Sequence, residues 1–339
     1  MYKCSVNVLS AMCLVLYSWG AHAAELLKVP VGISPVMSSA AMFIAKEKGY
    51  FEEHGLDVVI NPFKASGAKM VPFLARGQLF VAGGNINAGM YNAIAADIPI
   101  KIVSDKGTVT PDHGYLSLIV RKDHVQSGRY KRFKDLKGMT MAVTAKGVSQ
   151  EIVTEMYLKQ AGLSLSDIKL TTLAYQDMNI ALANKSIDAT VQIEPFVAAA
   201  VQQDIAVRVV GNDEVYPNQQ SAAIFYSPVF MEQHPEQAKG FMVAYVKALR
   251  DYNDAFEKNI NKDEIIDILT KYTRIKDAGI YQRVVPVGLS PDGSVNVQSL
   301  KDDARWYYER GYVKQTPDLD AIVDLSYAKH AVKVLGAYE

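Results

Sequence analysis

Short buried strands alternate with helices twice along this chain, and that alternation leaves few architectures open. From Lys28 to Ile33 the sequence reads as a strand, from Ala40 to Lys48 as a helix stopped by Gly49, and from Leu56 to Asn61 as a strand. A helix over Ala68 to Arg76, a strand over Leu79 to Ala82, a helix over Ala88 to Ala96 and a strand over Ile100 to Ser104 complete the first series. The second series has strands at Tyr115 to Arg121, Met139 to Thr144, Ile168 to Leu173, Ala189 to Ile193, Val207 to Val210 and Ala222 to Tyr226. Helices from Ser149 to Ala161, from Asp177 to Asn184 and from Pro195 to Gln203 separate them, with Ser149 as the expected N-cap. Strands this short, separated by single helices, imply largely parallel sheets covered by helices, an α/β chain.

The two series look like a diverged repeat. Leu74 to Ala82 lines up with Leu182 to Thr190, and Gly55-Leu56 matches Gly162-Leu163 at nearly the same offset. The alignment sets Gly83, Gly84 and Asn85 opposite Gln192 to Glu194, both after the carboxyl end of a strand, where open α/β sheets bind ligands. Beyond Tyr226 the chain is mainly helical. Pro235 to Lys258, Lys262 to Tyr272 and Val297 to Arg310 carry apolar residues at helical spacing, and the tail after Pro317 reads as a short helix.

The first 23 residues have another character. Lys3 precedes a largely apolar run from Val6 to Trp19, and Ala21-His22-Ala23 is a small-x-small cleavage site, the pattern of a secretory signal peptide. Both cysteines, Cys4 and Cys13, lie inside it, so a processed chain has no disulfide, thiol nucleophile or cysteine metal site. Met12 before Cys13 argues against a lipid anchor. Removing the segment leaves 35 basic against 36 acidic residues, a balance that draws the chain to neither nucleic acid nor an anionic membrane.

The remaining histidines, His54, His113, His124, His234 and His330, are not spaced as a metal pair and read as surface or loop residues. His113 stands apart because it leads into the strand at Tyr115. No G-x-S-x-G, phosphate loop or dinucleotide fingerprint occurs, so no catalytic residue, metal or cofactor is expected. What the sequence does offer is helix starts, whose free N–H groups favour anions. Ser66-Gly67, Gly84-Asn85 and Gly147-Val148-Ser149 each precede a helix, and Lys64 and Lys146 could add charge or lie solvated on the surface. Ser38, Thr144, Tyr175 and Gln176 are candidate hydrogen-bond donors on the same edges, with Phe43, Phe63, Tyr91 and Phe196 as apolar cover or core. Glu194 follows a buried strand and could accept from a ligand amine or pair with a basic residue at a hinge.

Lys48-Gly49-Tyr50-Phe51-Glu52-Glu53-His54-Gly55-Leu56-Asp57-Val58 resembles the entry motif of ABC-importer binding proteins, in the nitrate/sulfonate/taurine and thiamine-precursor group. Leu118 to Asp123, Asp135-Leu136-Lys137-Gly138, Ile187-Asp188-Ala189 and Glu194-Pro195 are similar to further stretches, so the resemblance covers residues 28 to 258. It departs at Phe80, where the family often has Asp, and at Gly147-Val148-Ser149, where Gly and Ser are often adjacent.

The resemblance implies a type II periplasmic-binding-protein fold with the ligand in the cleft between two lobes. Residues 24–115 and 222–339 would form lobe one and 116–221 lobe two, with hinge crossings near Tyr115 and Ala222. It implies an exported, monomeric protein that hands a small molecule to a permease and ATPase; the helix starts with Lys64 and Lys146 point to a small organic anion, a sulfonate or an aliphatic or aromatic carboxylate. A relative of the thiamine-pyrimidine synthases, an aminopyrimidine binder and a periplasmic sensor remain as alternatives. The cysteine-rich stretch of those synthases is missing. Cleavage after Ala23 should leave Ala24 as the first residue of exported protein, which N-terminal sequencing checks; Met1 retained, or lipid on Cys13, contradicts it.

Overall fold

A computed structural model describes residues 25–63 and 69–339. The strands are β1 (Leu27–Ile33), β2 (Leu56–Pro62), β3 (Val81–Asn85), β4 (Lys101–Thr108), β5 (Leu116–Arg121), β6 (Thr140–Val143), β7 (Lys169–Thr172), β8 (Ala189–Ile193), β9 (Ala206–Gly211) and β10 (Gln220–Tyr226). They form two five-stranded sheets, β2-β1-β3-β10-β4 and β7-β6-β8-β5-β9. The sheets are two copies of one plan. Within each, the first three strands run parallel, and the fourth is antiparallel to both of its neighbours. β3 and β8, which the repeat aligned, occupy the same place in their sheets. The antiparallel strands β10 and β5 are buried along their whole length, as are β8 and the apolar part of β4. Strands covered on both faces read as continuous apolar runs, which is why they were visible in the sequence.

The cores follow from the helix stripes. The helix Pro235–Glu257 buries Phe241, Tyr245, Leu249 and Tyr252 and packs on the helices Ala40–Glu47 and Ser326–Leu335. On the opposite face, the helix Val297–Glu309 lies against the helices Ala88–Ala95 and Ser149–Lys159. That contact joins the two sheets: Trp306 Nε1 donates to Glu155 at 2.6 Å, Arg310 also pairs with Glu155, and Tyr312 donates to Glu151 at 2.9 Å. Among the described residues no helix is long and apolar enough to cross a membrane.

Four local readings differ from the structure. β3 continues through Gly83 and Gly84 to Asn85, because β10 pairs with it as far as Ala222↔Asn85. β4 runs on through Asp105 and Lys106 to Thr108. Asn87 caps the helix Ala88–Ala95, accepting from Met90 N–H at 2.9 Å, and Ser149 is the first residue of its helix, with Val148 at the cap position. His124 is buried rather than on the surface: its Nε2 lies 2.6 Å from Asp188, which also takes the Thr140 N–H and faces Arg121.

The chain passes between the sheets through 109–115 and 212–219, and these crossings touch. Arg208 donates to Ser117 Oγ at 2.9 Å and to the Gly114 carbonyl at 3.1 Å. A Cβ at Gly114 would lie 1.8 Å from Asp213 Oδ1 and 2.7 Å from Gly211 Cα. Gly114→Ala should therefore destabilise the protein by about 1–3 kcal/mol, the usual cost of overpacking, measured by urea unfolding; an unchanged midpoint would contradict this close approach.

Candidate functional site

The carboxyl end of β3 meets the segments that follow β6 and β7. Ala88 N–H donates to the Gly147 carbonyl at 2.8 Å, Ser149 N–H to the Ile86 carbonyl at 3.0 Å, and Asn87 forms a bridge with Val148. Beside these backbone contacts, Asn85 Nδ2 reaches the Tyr175 hydroxyl at 3.4 Å, a side-chain contact from one sheet to the other. Tyr175 is held by Gln192, whose amide donates to the Tyr175 carbonyl at 3.0 Å and to Asn179 at 2.9 Å. Burial pushes the phenol up to about 12, with Asn85 and Thr144 acting in the opposite direction. Thr144 Oγ1 is itself buried and, in spite of that proximity, makes no hydrogen bond of good geometry. A polar atom in that state is uncommon in a native fold.

Ser38 lies at the carboxyl end of β1, in a 3₁₀ turn ahead of the helix Ala40–Glu47. Its hydroxyl accepts from Lys106 Nζ at 2.8 Å. Lys106 was not anticipated, and it is the most unusual residue of the site: a lysine only 1% exposed. Ala222 pairs with Gly107 and Ala223 with Asp105, so Lys106 is the extra residue of a β-bulge in β4. Bulges re-aim side chains and recur beside functional sites. The Lys106 side chain runs across Gly83, where a Cβ would lie 2.9 Å from Lys106 Cδ and 3.0 Å from Cε. Gly83 and Asn85 share one face of β3 by the two-residue period. Burial pushes the ammonium down to about 7, against the pull of Asp105. The sequence signal was faint: Asp105-Lys106-Gly107 reads as a polar turn closing a strand.

The other candidates fall differently. Lys64 and Ser66 lie outside the described residues. Lys146 is exposed, and Gln176 is half-buried at the start of the Tyr175 helix. Ser149 is spent on sheet one, its hydroxyl donating to the Ser221 carbonyl at 2.8 Å. Glu194 is 1% exposed, and both its oxygens accept backbone N–H groups, from Ala198 at 3.0 Å and Val285 at 3.2 Å. It therefore forms neither the ion pair nor the open acceptor considered from sequence. Phe43 stacks on Tyr272 and Tyr91 packs against Tyr307, both in the core. Phe80, where the family often has Asp, stacks on Phe230 with centroids 5.4 Å apart.

Comparison with known proteins agrees with this geometry. The model of the NMT1-like family matches residues 22–270. A protein of Brucella abortus (strain 2308), named only as a binding protein, is 26% identical over 286 residues, covering 80% of this chain and 83% of the relative. Among solved structures, the alkanesulfonate-binding protein SsuA of Xanthomonas axonopodis pv. citri bound to MOPS superposes with a TM-score of 0.71 at 18% identity, covering 89% of this chain and 99% of that one. The periplasmic nitrate-binding protein NrtA of Synechocystis PCC 6803 gives 0.74 at 15% identity, covering 92% and 90%. These likenesses show the fold, that of the periplasmic binding proteins.

Glu194 generates a prediction. Its burial raises the carboxyl from 4.5 to about 7, ahead of the two backbone hydrogen bonds that act the other way. A raised folded-state pKa means stability that is complete below about pH 4.5 and is lost as pH rises through 7. By linkage the loss is about 3 kcal/mol. Glu194→Gln should flatten the stability profile between pH 4.5 and 7, read by urea unfolding at several pH values, and should leave ligand-induced stabilisation unchanged. A profile like the wild type's, or lost ligand binding in a folded variant, contradicts the structural role.

Proposed function

This chain belongs to the NMT1-like family, and we propose that it is the solute-binding component of an ABC importer, capturing a small organic anion between its two lobes without chemically changing it. The observation that carries the reading is the Asn85–Tyr175 contact, made where the carboxyl end of one α/β sheet meets the segments leaving the other. Strand ends of open α/β sheets are where such folds take ligands, and two lobes joined by two crossings can close on a ligand by hinge motion. The relatives point the same way: structures of this fold are named for alkanesulfonate and nitrate binding, and a curated relative for nitrate and nitrite. The N-terminal segment would export the protein to the periplasm, where it would work as a monomer beside a permease and an ATPase.

The ligand class follows from the donors. Ser38, Asn85, Thr144 and Tyr175 offer hydroxyl and amide groups, while the one carboxylate considered for the site, Glu194, is turned to backbone. This donor set suits a sulfonate or a carboxylate better than an amine, and the Tyr175 ring would suit stacking on an aromatic acid. Native mass spectrometry of purified protein should reveal one retained small molecule per chain, released unchanged on denaturation. Adding that molecule at 100 times its dissociation constant should stabilise the fold by about 2.7 kcal/mol, seen as a raised melting temperature. A chemically converted ligand sinks the transport reading; a retained amine or aminopyrimidine sinks the anion class alone.

A further inference from the structure

We infer that Lys106 is the anion anchor of the cleft, a buried amine in lobe one that receives the ligand's sulfonate or carboxylate group. The inference rests on the binding-protein reading above and assigns the charge that reading leaves unassigned. Four observations place it. Lys106 is buried, yet among the described residues its Nζ has one hydrogen-bond partner, Ser38 Oγ, for three donors. The neighbouring carboxylate does not take the other two: Asp105 Oδ1 accepts from Gly107 N–H, the Thr108 hydroxyl and the Gln220 amide, and Oδ2 from Ser290 N–H. A β-bulge turns the side chain out of the β4 ladder. Gly83 leaves the corridor through which it reaches Ser38, on the face of β3 that also carries Asn85.

A lysine so placed is costly as a structural element, because a buried, incompletely satisfied ammonium destabilises a fold. A ligand anion supplies the missing acceptor and compensates the charge. The protonation sign is then fixed. The free amine titrates near 7, and an adjacent anion raises that value. Below pH 7 the amine is already charged and binding is insensitive to pH. Above pH 7 each ligand must bring a proton, so affinity falls about tenfold per pH unit. The charge acting on Lys106 is that of Asp105 on its own strand; Tyr245 from the helix Pro235–Glu257 donates to the Asp105 carbonyl, Tyr115 from the first crossing lies against Gly107, and Tyr175 meets Asn85 across the cleft. All three phenols are raised by burial and stay neutral across this range. Glu194 titrates in the same range from lobe two, so variants must separate the two.

The test is calorimetry at pH 8 in two buffers of different ionisation enthalpy, with benzoate, phenylacetate, butanesulfonate and taurine as probes, and benzamide and phenylacetamide as neutral counterparts. At least one anion should bind with close to one proton taken up, and its neutral counterpart should not bind. Lys106→Met should bind that anion roughly 10- to 100-fold more weakly with no proton uptake, while Glu194→Gln retains the uptake. Without ligand, Lys106→Met should melt at or above the wild-type temperature. Ser38→Ala, which removes only the amine's partner, should weaken binding less. The inference is overturned by an anion bound without proton uptake, by unchanged affinity in Lys106→Met, by a ligand-free melting temperature that drops sharply in that variant, by a neutral probe bound equally well, or by no probe bound. If native mass spectrometry still shows a retained molecule, only the role of Lys106 fails; if nothing is retained and nothing binds, the importer reading fails with it.

Discussion

The Asp105 carboxylate gathers the parts of the chain that must meet for a cleft to exist. It takes donors from the end of its own strand at Gly107 and Thr108, from the returning strand at Gln220, and from the C-terminal segment at Ser290. Three stretches far apart in sequence thus converge on two oxygens. Five residues before Ser290 the same segment donates its Val285 N–H to Glu194 at the end of β8. One C-terminal segment therefore bonds to a buried carboxylate of each sheet, on the hinge side of the molecule. Carboxylates that collect backbone N–H groups are economical here: they satisfy an irregular segment that has no ladder of its own. Burial opposes ionisation at both and outweighs the donors that act the other way, four of them at Asp105.

The elements that sequence made legible are those whose identity is decided by burial on a regular period. β5, β8 and β10 are covered on both faces, and the helix Lys262–Tyr272 shows its stripe plainly. The sheet plan was legible too, through the match of Leu74–Ala82 to Leu182–Thr190. What escaped were residues whose meaning depends on a partner strand. Lys106 lies in β4 only because β10 pairs past it with a bulge, and a bulge leaves no mark in one strand's sequence. Ser149 has the composition of an N-cap, but the Ser221 carbonyl claims its hydroxyl. Glu194 resembles an open acceptor until a segment ninety residues later arrives to occupy it.

The motifs that carried the family resemblance turn out to be structural fasteners. Lys48 bridges to Asp251 at 3.0 Å and Glu264 at 3.3 Å, Tyr50 donates to Asp251 at 2.7 Å, and Phe51 stacks on Phe241. Gly49 and Gly55 hold left-handed turns on either side of that cluster. Asp188 collects the Thr140 N–H, His124 and Arg121 at the far side of lobe two. A chain can thus resemble a family through residues that bolt helices to sheets, which carry no information about a ligand.

On the proposed reading the two lobes contribute unlike chemistry to the cleft, and that asymmetry bears on how closure is coupled to loading. Lobe one brings an amine on a bulged strand, with Ser38 and Asn85 beside it. Lobe two brings neutral donors, Tyr175 and Thr144, held from behind by Gln192 and Gln150. If an anion first meets the amine in lobe one, its outward oxygens face water until lobe two supplies Tyr175 and Thr144. Closure then exchanges water for fixed donors, and Thr144 Oγ1, without a hydrogen-bond partner among the described residues, gains an acceptor. An uncharged molecule leaves the amine's cost uncompensated and gains less from the same closure. Discrimination of this kind needs no extra bulk in the cleft, because the penalty for the wrong ligand is built into the unliganded protein as a buried lysine with too few partners.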